Sequence, residues 1–199
     1  MKKYLILSIL SAVFGTALWY GCAKFSSISH DDEFVAVALT GVQHLGNGYL
    51  ISRFYVNKYG GDSVGREGGG GSIVCCVMLP LKWRPGLTVE VRWKVEDWTS
   101  ADYAEIEKGN YASVTKKKMY IAKVPVEKYD ELYDLIVHFF PHGRVRAVTS
   151  VYSVSSPLHP VSFGPREGGL MASAGWPISE MFSQAELLKK KSEESNPWK

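Results

Sequence analysis

The chain has 199 residues, 46% of them hydrophobic and 22% charged, with 23 basic against 20 acidic side chains, six Trp and eleven Tyr. These values exclude a disordered chain and a disulfide-stapled miniprotein, and they suit one globular domain with short appendages whose aromatic content favours strands. The formal charge of +3 shrinks once Lys2 and Lys3 leave with the leader described next, because 23 less these two is 21 basic residues against 20 acidic, so nothing calls for a nucleic-acid partner.

The N-terminus speaks most directly about location. "MKKYLILSILSAVFGTALWYGC" joins a basic start, Lys2 and Lys3, to an apolar run from Tyr4 to Leu18. A membrane-spanning helix needs about 20 apolar residues, so this shorter run fits the core of an export signal. Gly21 directly before Cys22 resembles the lipobox of bacterial lipoproteins, with Trp19 where Leu is usual. An uncleaved anchor and a signal cleaved elsewhere are the competing readings. On the lipobox reading, residues 1–21 are a signal peptide and Cys22 becomes the lipidated first residue. Ala23, where inner-membrane retention commonly uses Asp, then implies an outer-membrane anchor with the domain in the periplasm. Residues 22–33 are small and polar and read as a tether.

A single β-rich domain is expected from 34 to 191, with a frayed tail over 192–199. "FVAVALTG", Phe34 to Gly41, and "YLISRFYV", Tyr49 to Val56, read as strands, and the "GNG" between them predicts a hairpin. "LTVEVRWKV" alternates strictly, with Leu87, Val89, Val91, Trp93 and Val95 on one face and Thr88, Glu90, Arg92 and Lys94 on the other. "KMYIAKVPV", Lys118 to Val126, is a weaker strand ended by Pro125, and the "EKYDELYD" that follows predicts a turn or two of helix. "LIVHFF", Leu135 to Phe140, runs into Pro141, His142 and Gly143, which predicts a hairpin reaching Tyr152. After Ser155 the chain becomes a long Pro-, Gly- and Ser-rich loop. "ISEMFSQAELLKKK" then has a helical pattern, with Ser183 and Glu186 at capping-box spacing. "REGG" occurs at Arg66 and at Arg166 without matching flanks, so it marks no repeat. The sum is a mainly β (α+β) fold, an antiparallel sheet or sandwich with one or two short helices and a C-terminal helix.

The stretch "REGGGGSIVCC", Arg66 to Cys76, resembles a phosphate cradle only superficially. A Walker loop needs Lys and Ser or Thr after its last glycine and then a helix, whereas Ile73 and Val74 favour a strand. A glycine-permitted bend into a central strand fits better. Cys75 and Cys76 leave three readings open: structural thiols on opposite strand faces, a vicinal disulfide, or a metal or redox site. In an oxidising compartment, with Cys22 lipidated, their only intramolecular partners are each other. Neither Cys-x-x-Cys nor a neighbouring His favours the metal. His138 alternates with Val137 and Phe139 and therefore points to the other face, as a satisfied histidine or as a site residue. His142 lies four residues on, a helix-face spacing in a strand-and-turn segment, which gives no metal pair. No metal and no cofactor is expected.

Hydrolase signatures are missing: Gly-x-Ser-x-Gly and His-Glu-x-x-His do not occur, and Ser-x-x-Lys lacks its partner motifs. A triad dispersed in sequence is the enzymatic alternative; the expectation is a protein without catalytic activity. Trp83, Arg84, Asp97, Trp98, Arg166 and Glu167 fall in predicted loops, and Trp and Arg are enriched at binding hot spots. Tryptophans that merely cap the core edges are an equal alternative. "TKKKMY", Thr115 to Tyr120, reads as a solvated strand start whose lysines are free to meet acidic groups.

Taken together, "FYVNKYGG", "GGGGSIVCC", "VEVRW" and "VHFFPHGRV" resemble, in this order, a group of small bacterial lipoproteins first catalogued as a domain of unknown function. The resemblance covers Phe34 to Val151 and the lipobox. Genes of such lipoproteins often neighbour type VI secretion phospholipase effectors, and some members act as lipase-immunity (Tli) proteins. The resemblance therefore implies an antibacterial immunity protein, anchored to the outer membrane through Cys22, that binds a cognate lipase toxin and inhibits it. The alternative is a structural or assembly lipoprotein of the envelope with a resident partner. The motifs that carry the resemblance imply scaffold rather than contact residues.

Overall fold

The computed structural model describes residues 33–65, 73–100, 102–111 and 115–194. The expected signal peptide, Cys22, the expected tether up to 32, the stretch 66–72 with its four glycines, and residues 195–199 lie outside the described residues. The chain divides into two units, Met1–Glu33 and Phe34–Lys199, and the second is the β domain.

Among the described residues, two five-stranded sheets form the domain. The first has the order β4 (Val74–Pro80), β1 (Phe34–Gln43), β7 (Leu135–Phe140), β8 (Arg144–Thr149), β9 (Ser173–Ala174). The second has the order β10 (Trp176–Ile178), β6 (Lys116–Pro125), β5 (Thr88–Asp97), β2 (Tyr49–Val56), β3 (Tyr59–Gly61). All pairings are antiparallel except β1 with β7, which run parallel. Helix α1 is a short turn at Tyr103–Glu107, started by Asp102, whose carboxylate accepts from the Ala104 N–H. Helix α2 spans Gln184–Glu194.

One core lies between the sheets. Val37, Leu39, Val77, Leu79, Val137 and Phe139 face it from the first, while Phe54, Val89, Val91, Trp93 and Val124 face it from the second. Full burial of each such side chain contributes about 1.5 to 3 kcal/mol. The strict alternation of β5 follows from this: Val89, Val91, Trp93 and Val95 are buried in the core. Strand β7 is instead buried along its whole length. Its second face, with Ile136 and Phe140, packs under Val161 and Ala172 of the long loop after β8. That cover explains the near-continuous apolar run, since a strand buried on both faces loses its alternation.

Four expectations change. Strands β1 and β2 do not form a hairpin; the segment between them crosses from one sheet to the other. Gln43 shapes that corner, accepting from the Leu45 N–H (2.7 Å) and donating to Gly46 O (3.3 Å) and Gly65 O (3.2 Å). The segment after Pro125 is not helical. Tyr129 is buried, its hydroxyl donates to Pro80 O, and the Glu127 N–H donates to Ala147 O, so these anchors hold the segment extended. Strand β4 lies at a sheet edge rather than at its centre, with β1 as its one partner. The C-terminal helix begins six residues later than the pattern, at Gln184, and continues to Glu194 into the expected tail. Its start is a reciprocal capping box: the Ser183 N–H donates to Glu186 Oε2 (2.8 Å) and the Glu186 N–H to Ser183 Oγ (3.2 Å).

Candidate functional site

Among the described residues, the end of the sandwich where β5 finishes and β6 begins is not closed by apolar side chains alone. Strand β6 turns the same face inward at Ala122 and Val124, then at Tyr120, and then at Lys118 and Lys116, by the period of two. The core face thus becomes basic as it leaves the core. A recess of about 420 Å³ results, with Tyr49, Val95 and Tyr120 among its walls and Asp97, Lys116, Lys118 and His142 as its charged or ionisable groups.

Tyr120 stacks on Trp93 with ring centroids 5.3 Å apart. The β7–β8 turn lies over it. His142 and Gly143 both have left-handed backbones, φ 61° and 66°, and Gly143 is buried against Tyr120. A non-glycine residue in this region is uncommon, and here the conformation carries the His142 side chain to the recess. Opposite, Asp97 accepts from the hydroxyl (2.6 Å) and the N–H (3.0 Å) of Thr99. The Thr99 hydroxyl chiefly, with Lys116 and Lys118 adding their charge, holds the Asp97 carboxyl below its ordinary value. Asp97 is therefore ionised at neutral pH, pairing in the β5–β6 ladder with Lys116.

The expected binding residues separate into two groups. Asp97 lines the recess, and half-buried Trp98 follows it, its backbone N–H donating to Gly48 O (2.8 Å) and its ring meeting Tyr111 edge-on. Arg166 and Glu167 are exposed on the long loop, which is tied to the same end because the Arg166 N–H donates to His44 O (3.1 Å), next to Leu45 of the recess. Trp83 and Arg84 lie at the other end, in the β4–β5 turn. The Trp83 indole donates to Val126 O (2.9 Å) and packs on the core, which is an edge-capping role, while Arg84 sits 5.8 Å from the Phe34 ring. Cys75 and Cys76 are joined to each other in a disulfide on the edge strand β4, with Cys75 exposed. His138 is fully buried under the long loop, between His44 and His159.

Sequence reasoning passed over Tyr120 and the recess role of His142. The usable signal was the Lys116-Lys118-Tyr120 alternation, which continues the inward face of a strand past its apolar part. No group of three or more His, Cys, Asp or Glu able to hold a metal ion occurs among the described residues. None of the helices there is long and apolar enough to cross a membrane.

No curated protein and no solved structure matches the chain. A family profile matches residues 47–147, from just before β2 to within β8, a span that includes Asp97, Lys116, Lys118 and His142. The chain belongs to the family described as "Protein of unknown function (DUF3304)".

Proposed function

We propose that the protein is a periplasmic immunity lipoprotein that binds a type VI secretion phospholipase effector and blocks it, protecting the producing cell without chemistry of its own. The observation that carries this reading is the gathering at one end of the sandwich. A partly apolar recess edged by Lys116, Lys118 and His142 stands beside Asp97 and Trp98 and near the loop bearing Arg166 and Glu167. Apolar walls under a polar rim are the anatomy of a protein-binding surface. The lysines offer donors to a partner's carboxylates, and the recess accepts one inserted side chain. The leader and Cys22 support delivery to the compartment a secreted lipase would attack.

The test is co-purification of the full-length chain with a type VI secretion lipase effector of the producing cell, followed by a phospholipid hydrolysis assay. A stable complex of nanomolar affinity or better with suppressed hydrolysis is expected. A lipase that stays fully active and unbound would reject the immunity reading and favour a resident envelope partner.

A further inference from the structure

Under the long loop, three imidazoles stand in a row. His44 Nδ1 lies 2.7 Å from Gly164 O, and His44 Nε2 lies 2.9 Å from His138 Nδ1. His138 Nε2 lies 3.1 Å from His159 Nε2, and His159 Nδ1 lies 2.9 Å from Tyr152 O. All three rings are buried, at 1%, 0% and 5% exposure. Both ends of the row are carbonyl oxygens, which only accept, so both terminal nitrogens must carry hydrogen. Each nitrogen pair between the rings needs one hydrogen more. Four contacts therefore need four ring hydrogens, whereas three neutral imidazoles carry three.

We propose that His44, His138 and His159 form a buried proton-binding site that holds one proton beyond the neutral count, and that this proton fastens the loop between Tyr152 and Gly164 to the sheet. The proton comes from solvent and no bond other than N–H changes. Without it, two lone pairs face each other at hydrogen-bond distance in a place water does not reach, and the group left unmatched bears its full desolvation cost.

The position of the charge follows from the surroundings. Burial holds the His138 imidazole well below its ordinary value, and burial likewise lowers His44, with the other rings and nearby guanidinium groups adding to both. These two rings are therefore neutral, each with its hydrogen on Nδ1: His44 donates to Gly164 O and His138 donates to His44 Nε2. The additional hydrogen then lies in the remaining contact, between His138 Nε2 and His159 Nε2, while His159 Nδ1 donates to Tyr152 O. The charged groups that face the row are Arg146, which pairs with His138 across β7 and β8, and Arg166 of the loop. Arg146 brings its own counter-ion, since Glu127 accepts from it twice, at 2.7 and 2.9 Å. Such coupled rings take up protons in macroscopic steps, the first favoured by the fourth hydrogen bond and the next opposed by like charge.

The sign of the pH dependence separates this arrangement from plain burial. Unfolded histidines lose their protons near pH 6.5. A folded state that keeps one proton above that pH loses stability as pH rises through the titration of the row. Three neutral buried rings would instead lose stability as pH falls below 6.5.

The experiment is the ring-nitrogen spectrum of the full-length protein labelled with ¹⁵N-histidine, with His30 and His142 assigned through H30Q and H142Q. At pH 7 one buried ring should show two protonated nitrogens and the other two rings one each. As pH rises, amide exchange of residues 152–164, corrected for intrinsic rates, should accelerate about tenfold, the worth of one hydrogen bond. H159Q, which removes one ring of the row and with it the contact that needs the extra hydrogen, should abolish that pH dependence. Three neutral rings at pH 7, or loop protection that grows with pH, would overturn the proposal. The ring spectrum of the unaltered protein decides even where H159Q fails to fold.

Discussion

Gly143 leaves no space for a side chain above Tyr120: a Cβ placed there would stand 2.5 Å from Cε1 of that ring. The contact seats the β7–β8 turn on the recess wall and so sets where His142 points. Replacing Gly143 by Ala adds both a left-handed backbone penalty and an overlap with a ring that cannot withdraw, because it is stacked on Trp93. The expected loss is about 2 to 4 kcal/mol in a urea unfolding titration, with the midpoint shifted and the slope kept. A loss within experimental error would mean that the turn does not rest on Tyr120.

The carboxylate of Glu186 is the acid-sensitive link to the C-terminal helix. Arg92 donates to it from both terminal nitrogens, at 2.7 and 3.2 Å, and also sits 4.7 Å from the Phe182 ring, which itself packs edge-on against Tyr55. Arg92 chiefly, with Ser183, holds the Glu186 carboxyl down to about 2 from an ordinary 4.5. The folded value is depressed, so the link contributes fully above pH 4.5 and is lost as pH falls toward 2. The Ser183 amide resonance should report this with a midpoint near 2, and E186Q should remove the titration. A midpoint near 4.5 would show that Arg92 does not hold the helix.

Much of this arrangement can be read in the sequence, and the limits are physical. Leu87 to Val95 alternates because one side of β5 meets the core and the other does not. The run Leu135 to Phe140 hides its alternation, because the loop after β8 buries the second face. Trp83 and Trp98 look equivalent as loop tryptophans, yet a ten-residue strand separates them by about 30 Å. The histidine row was illegible for another reason: residues 44, 138 and 159 meet only through the parallel β1–β7 pairing and the return of a loop, neither of which leaves a local pattern. The crossing between β1 and β2 was equally hidden, since "GNG" serves a hairpin and a corner between sheets alike.

The Cys75–Cys76 disulfide lies on an edge strand with Cys75 exposed. Intact mass spectrometry of protein isolated without reductant should therefore show two hydrogens fewer than after reduction. Two free thiols in that material, trapped by alkylation at lysis, would contradict the pairing.

The recess is the heart of the functional account, and reversing its charge tests it most directly. Lys116 and Lys118 are exposed strand residues, so K116E/K118E should still fold, with the unfolding midpoint lowered only slightly, by about 0.2 to 1 kcal/mol, for the like charge set opposite Asp97. Phospholipid hydrolysis by the proposed cognate lipase should be titrated with the full-length chain and with this variant at two salt concentrations. The account predicts that the unaltered chain inhibits stoichiometrically, that K116E/K118E needs at least about a hundredfold more protein, and that the gap narrows at high salt. Equal inhibition by both proteins would contradict the claim that this end of the sandwich holds the partner.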